Sequence, residues 1–267
     1  MIVTTEMNWQ PLIKPPPSVH ELITDDGMPM ESNRHVLQMI FLRETLEYTW
    51  SGRNDFFVGT NMFVYYSTLQ TKRNDFRGPD VFVVLGTEHR DREAWVIWEE
   101  GGKHPDVVIE LTSESTRSYD HGEKKRIYGE LIGVPEYFIF DPIHGDLEGY
   151  RLNAGKLAYQ PLQPSPTGRF ESQRLALELG PWIGSYSDFP GKWLRWYRPD
   201  GSLLLTGREA QAEEAKLRAE EAKLRAEEAK LRAEAEERAR AAEARATELE
   251  RRLVELERLQ KTSGADK

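Results

Sequence analysis

Pro105-Asp106-Val107-Val108-Ile109-Glu110-Leu111 is an apolar run opened by Pro-Asp with an acid near its end, and Pro79-Asp80-Val81-Phe82-Val83-Val84 has the same opening earlier in the chain. Both runs are short, continuous and rich in β-branched residues, the pattern of strands covered on both faces. Antiparallel pairing would lay the start of the first beside the end of the second, bringing Asp80 and Glu110 to one end of a sheet. A carboxylate inside an apolar strand is costly to bury unless it is paired, hydrogen-bonded or bound to metal, so Glu110 is a candidate for function. Two such oxygen ligands can hold Mg²⁺, which keeps several waters and takes one or two protein carboxylates together with substrate phosphate.

Beyond Ser115 and Thr116 the pattern turns helical over about His121–Leu131 and ends at Gly133 and Pro135. Lys124 and Tyr128 share a face at i,i+4 spacing, with Lys125 one step round. A lysine there can reach back to the acids, orient an attacking water and offset charge developing on a phosphate. Spacing alone is a weak signal, because acids at strand ends commonly act as caps and lysines near helix starts are commonly solvated. Other chemistries find less support: Cys is absent, the six His include no His-x-x-x-His pair, and there is no Gly-rich phosphate loop or Gly-x-Ser-x-Gly elbow.

Upstream, Ser32 or Asn33 can cap a helix from Arg34 to about Tyr48, with Val36, Leu37, Ile40, Phe41, Thr45 and Tyr48 as its apolar face. Phe56–Tyr66 reads as a strand, and Asp91–Lys103, polar at its ends around Trp95–Trp98, as an irregular excursion or a short extra element. Glu136–Phe140 reads as a strand stopped by Asp141-Pro142. Alternating runs from Leu147 to Leu179, separated by Asn153-Ala154-Gly155 and Pro164–Gly168, suggest a β-meander. Residues 1–31, with Pro11, Pro15, Pro16, Pro17 and Pro29, read as an extended arm ahead of an α/β domain over 32–206.

Every Trp, Tyr and Phe precedes Gly207, and the remainder is dominated by Ala, Glu, Arg, Lys and Leu, which cannot build a globular core. The heptad Leu-Arg-Ala-Glu-Glu-Ala-Lys repeats from Leu217 to Lys230, with favourable i,i+4 pairs at Glu214/Arg218, Glu221/Arg225 and Glu228/Arg232. A long charged helix is expected over 207–260, with 261–267 disordered. Its 3–4 seams, Ala219, Ala222, Ala226, Ala229 and Ala233 and then Ala242, Ala246, Leu249, Leu253 and Leu256, leave both a solvated single helix and a coiled coil open.

The net charge is −9; from Arg208 onward 15 Lys and Arg face 16 Asp and Glu, leaving 21 against 29 before it, a head near −8. That acidity argues against strong non-specific binding to nucleic acid, unless a few basic residues and bound cations compensate around a cleft. No run is apolar enough to span a membrane and no start resembles a signal peptide, so a cytoplasmic protein is expected.

At these residues the chain resembles the Uma-two family of restriction-endonuclease-like proteins, a branch of the PD-(D/E)XK nuclease superfamily. The likeness covers roughly Ser32 to Tyr197. It includes Arg34-His35, Phe63-Val64-Tyr65-Tyr66, Gly78-Pro79-Asp80-Val81-Phe82-Val83-Val84, and the run from Pro105 through Glu110 to Arg117. It continues through Asp120, Lys124, Tyr128 and Gly133-Val134-Pro135-Glu136-Tyr137-Phe138-Ile139-Phe140-Asp141-Pro142. The resemblance implies an α/β (α+β) restriction-endonuclease-like fold with a four-stranded mixed central sheet flanked by helices. It makes Asp80 and Glu110 the acids that bind Mg²⁺, with Mn²⁺ as a substitute, and Asp106 structural. Where the superfamily places Glu-x-Lys, Glu110-Leu111-Thr112 has Thr, so the resemblance moves the lysine to Lys124, with Lys125 second. The implied activity is Mg²⁺-dependent hydrolysis of DNA phosphodiester bonds, with Lys124 positioning or activating water; Arg117, His121 and Tyr128 are our candidates to support the substrate. A homodimer, and a helical partner recruited by the tail, are expected with it. The alternative is a catalytically silent scaffold working through its helical tail.

Overall fold

The computed structural model describes residues 16–22, 32–69, 75–153 and 155–263. Most of the 1–31 arm and residues 264–267 fall outside these. Within 16–22 a single 3₁₀ turn, Val19–Glu21, is closed by a capping box with Ser18. It is tied to the domain by Trp98 Nε1, which donates to the Pro17 carbonyl at 3.1 Å.

The first of two compact units ends at Gly207. Its centre is a six-stranded mixed sheet in the order β1-β4-β6-β7-β8-β9, two strands wider than expected. These strands are β1 (Phe56–Thr60), β4 (Val81–Leu85), β6 (Val107–Leu111), β7 (Glu136–Phe140), β8 (Leu147–Asn153) and β9 (Ala158–Pro161). Only β6 and β7 run parallel; the other neighbours are antiparallel. Residues of β6 and β7 are buried throughout, as their unbroken apolar character requires.

The Phe56–Tyr66 run is not one strand. Asn61 takes a left-handed conformation (φ 46°), which Asn tolerates better than most residues, and the chain leaves the sheet there. It re-forms as β2 (Val64–Tyr65), which joins β3 (Phe76–Arg77) and β5 (Trp95–Val96) in a small separate sheet. The expected meander also divides. β8 and β9 extend the central sheet, whereas β10 (Phe170–Ser172), β11 (Leu177–Tyr186) and β12 (Phe189–Tyr197) form a third sheet. The turn between β11 and β12, Ser187-Asp188, has positive φ at both residues, the signature of a two-residue type I′ hairpin.

Alternation along the central strands sorts side chains onto two faces. Val81, Val83, Val107 and Ile109 pack with Met39, Leu42 and Leu46 of α1 (Asn33–Thr49) and with Leu179, Leu194 and Trp196 of the third sheet. Phe82, Val84 and Val108 face the other way, onto Ile127, Tyr128, Ile132 and Trp95.

Ser32 caps α1, its hydroxyl accepting from the His35 amide. The buried face is not the expected one: His35, Gln38, Met39, Leu42 and Leu46 point inward with Phe41 and Thr45, while Ile40 and Tyr48 are exposed. Two polar residues disguise the true stripe because each meets a partner distant in sequence. β12 is the edge strand of its sheet, and Gln38 bonds both main-chain groups of Leu194: its Nε2 donates to the carbonyl at 2.9 Å and its Oε1 accepts from the amide at 2.8 Å. Gln38→Leu should therefore leave two buried groups unpaired and cost about 2–3 kcal/mol in urea unfolding. A loss below about 0.5 kcal/mol would mean that water replaces the side chain.

The helix expected over His121–Leu131 begins earlier. One α-helical turn, α2 (Arg117–Tyr119), leads into π-helical stretches at Asp120–Lys124 and Ile127–Ile132. Gly133 ends the segment with φ 81°, and its amide together with that of Val134 donates to the Tyr128 carbonyl.

The second unit begins at Arg208, and its described residues lie in one helix, α3 (Gly207–Ser263), of 57 residues, about 85 Å long at 1.5 Å per residue. It passes the position where disorder was expected to begin. Glu214–Arg218 and Glu221–Arg225 pair as expected, but Arg232 turns to Glu236 and not to Glu228. Leu217, Leu224 and Leu231 are exposed along it. Among the described residues no helix is long and apolar enough to cross a membrane.

Candidate active site

Val81 pairs with Ile109 across β4 and β6, so continuing the antiparallel ladder by one residue sets Asp80 opposite Glu110. By alternation both lie on the face of Phe82 and Val108, against which the 117–132 helical segment packs. Glu110 is 1% exposed. Tyr128 Oη donates to its Oε1 at 2.7 Å and Lys124 Nζ to its Oε2 at 3.0 Å. Asp80 Oδ2 accepts from the Leu111 amide at 2.6 Å.

Asp120, quoted among the residues of the resemblance but given no role there, joins the group. It is 1% exposed, and Lys124 Nζ lies 2.9 Å from its Oδ1. That contact is close but poorly directed, and neither carboxylate oxygen receives a well-formed hydrogen bond. The available signal was the series Asp120, Lys124, Tyr128 at steps of four. π-helical turns, frequent at functional sites, carry all three toward Glu110. His35 was likewise quoted without a role. Its Nε2 donates to the Leu111 carbonyl at 3.2 Å, which fixes the tautomer and leaves Nδ1 to accept from the Ser32 hydroxyl at 2.8 Å.

Burial raises the Asp80 carboxyl well above the usual range, and the neighbouring Glu110 charge raises it further; Lys124 and the Leu111 amide oppose both only in part. Burial would lower the Lys124 ammonium, but Glu110, Asp120 and Asp80 together outweigh it and hold the lysine charged. Burial, with Glu110 next, pushes the Tyr128 phenol upward and keeps it a neutral donor.

The Asp80 shift has a definite sign for stability. Its folded pKa exceeds the unfolded value, so it costs nothing below about pH 4 and becomes destabilising as pH rises through the folded value. Asp80→Asn, which can still accept from Leu111, should raise the Tm of chelator-treated protein at pH 7 by a few degrees, and the gain should vanish near pH 4. An equal gain at both pH values would show that charge is not its source.

The remaining sequence candidates are distributed more widely. Tyr128, a candidate to support the substrate, is fully buried and bonded to Glu110. Arg117 donates to Asp141 Oδ2 at 2.9 Å, and His121 bonds Glu148 Oε1 at 2.8 Å. With Glu114 and Ser118 these two line a shallow open groove. Lys125 points away from the acids and sits over the Tyr150 ring, 3.3 Å from its centroid. Asp106 accepts from the Leu85 amide at 2.7 Å and pairs with Arg174, tying strands together.

Among the described residues no group of three or more His, Cys, Asp or Glu is arranged to hold a metal ion by itself. Mg²⁺ does not require one, since it binds through one or two carboxylates and completes its shell with water and phosphate. Asp80 and Glu110 fit that donor set. Burial, and after it the neighbouring Glu110 charge, raises Asp80, and a divalent cation held by the two acids would offset the second of these; Lys124 is the ammonium shared by Glu110 and Asp120.

No curated protein matches the chain. Residues 12–184 match the family model Uma2, described as "Putative restriction endonuclease". A crystal structure of a "putative nuclease" from Anabaena variabilis ATCC 29413 aligns at 13% identity with a TM-score of 0.40, covering 57% of this chain and 82% of that one.

Proposed function

Because this chain belongs to the Uma2 family, we propose that it is a divalent-metal-dependent endonuclease that hydrolyses DNA phosphodiester bonds. The supporting observation is the apposition of Asp80 and Glu110 on neighbouring strands, with Lys124 bonded to the buried glutamate. In this reading Asp80 and Glu110 hold Mg²⁺, or Mn²⁺ in its place. When bound, such a cation supplies Lewis-acid stabilisation of charge on the phosphate. Lys124, kept cationic by its acidic neighbours, orients the attacking water and donates to a phosphate oxygen; it does not act as a base. Tyr128 fixes one Glu110 oxygen and the Leu111 amide fixes one of Asp80, so the acids are preorganised. Arg117 and His121, on the groove beside the segment that carries Lys124, would meet the DNA backbone. Cutting both strands calls for two copies, and the exposed leucines of α3 are the candidate for that association.

Two observations favour a scaffold instead: Glu110 already has two donors, and the head carries a charge near −8. Supercoiled plasmid incubated with the full chain and Mg²⁺ or Mn²⁺ separates the readings. Nicking that chelation abolishes supports the nuclease. No nicking with either metal, together with no metal-induced stabilisation, favours the scaffold.

A further inference from the structure

We propose that Asp120 is a positioning residue that retains the Lys124 ammonium at the site when Glu110 turns its charge to a divalent cation. The inference rests on the reading of Asp80 and Glu110 as the metal acids and extends it to a third acid.

Lys124 is shared, 3.0 Å from Glu110 Oε2 and 2.9 Å from Asp120 Oδ1. The two acids are not equivalent. Glu110 has a second donor in Tyr128, so it can give up the ammonium and remain bonded. Asp120 has no other donor to its carboxylate among the described residues. A buried carboxylate served by one ammonium is expensive, and local structure gives no reason for it. Asp120 is not a cap, because helical structure already begins at Arg117. Its main chain is nevertheless pinned: Tyr137 Oη donates to its carbonyl at 3.0 Å, and its amide donates to the Thr116 carbonyl at 3.0 Å. The carboxylate is thus held toward Lys124 by contacts unrelated to its own charge.

A cation engaging Glu110 must compete with the ammonium for Oε2. With Asp120 present, Lys124 keeps a counter-charge and stays beside the acids. Without it, among the described residues the counter-charges that act on the lysine are Glu110 and Asp80, the acids that the cation requires. Asp120 therefore makes cation binding compatible with a lysine that remains in place.

The test needs no DNA. Mn²⁺ is titrated calorimetrically into the metal-free full-length wild type, Asp120→Asn, Lys124→Met and the double variant, with circular dichroism confirming that each is folded. Asp120→Asn should weaken Mn²⁺ binding about tenfold, the scale of losing a partner that orients a metal ligand. In the Lys124→Met background the same change should matter less than about threefold, because there is no lysine to redirect. A tenfold loss in both backgrounds would mean that Asp120 acts on the cation directly, and unchanged binding in Asp120→Asn would mean that it does nothing; either overturns the proposal. If Lys124→Met does not fold, Asp120→Glu decides. Affinity within about threefold of wild type supports a clamp that a longer acid can still form, and a loss equal to that of Asp120→Asn overturns it. Absence of Mn²⁺ binding in the wild type overturns the metal reading of Asp80 and Glu110 and this inference with it, an outcome distinct from failure of the Asp120 variants alone.

Discussion

Lys124→Ala is expected to cost the metal-free protein about 3–5 kcal/mol, the largest stability loss of any single change at the site. The substitution removes the one cation shared by two acids that are each about 1% exposed, Glu110 and Asp120, with Asp80 next to the first. Desolvation was already borne in the wild type, so deleting the ammonium leaves uncompensated buried charge and not merely a lost contact. Surface pairs behave otherwise: breaking Glu214–Arg218 on α3 should move stability by no more than about 0.5 kcal/mol. Urea unfolding in chelator at pH 7 measures both. A Lys124→Ala loss under about 1 kcal/mol would show that the acids take up protons or water at little cost, and the account of the site as an electrostatically strained pocket would be wrong. Added Mn²⁺ should recover part of the loss, since a cation at Asp80 and Glu110 supplies charge that the lysine no longer does.

Glu110→Gln should lower metal-dependent plasmid cleavage by about 10³-fold or more while leaving the fold intact. Gln has the shape of Glu, its carbonyl oxygen can still accept from Tyr128, and Lys124 keeps Asp120 as a counter-charge. The lost property is the negative charge that would hold the cation. Cleavage should fall together with Mn²⁺-induced stabilisation, and the far-ultraviolet circular dichroism should not change. Cleavage by the variant at wild-type rate would remove Glu110 from the mechanism. Loss of cleavage with full metal stabilisation would place the cation elsewhere and assign Glu110 to substrate contacts.

Local pattern carried far in this chain. Unbroken β-branched runs marked β4 and β6 as doubly covered strands, and a Pro-Asp opening with an acid at the far end of the second run was enough to bring Asp80 opposite Glu110 once the strands paired. Helix propensity and composition were enough for α3, where nothing tertiary contradicts them. Pattern failed on α1, because His35 and Gln38 look like solvent-facing residues until the Leu111 carbonyl and the Leu194 main chain are supplied by strands far along the chain. It failed again from Leu147 onward, where Pro181, Gly184, Pro190 and Gly191 interrupt the alternation of the β11–β12 hairpin and hide a third sheet.

The sequence by itself determined what depends on neighbours in the chain: the buried strands, the acids at their ends, the i,i+4 spacing of Lys124 and Tyr128, and the long charged helix. Tertiary structure alone decided what depends on partners distant in sequence. It widened the central sheet to six strands, set Tyr128 on Glu110 and turned Lys125 away. It also enclosed Asp120 with the lysine as its only charge partner among the described residues. The physical reason is that periodicity and propensity report a preference for a conformation and a face. The free energy of a buried polar group, in contrast, is set by which groups other elements bring within about 3 Å of it.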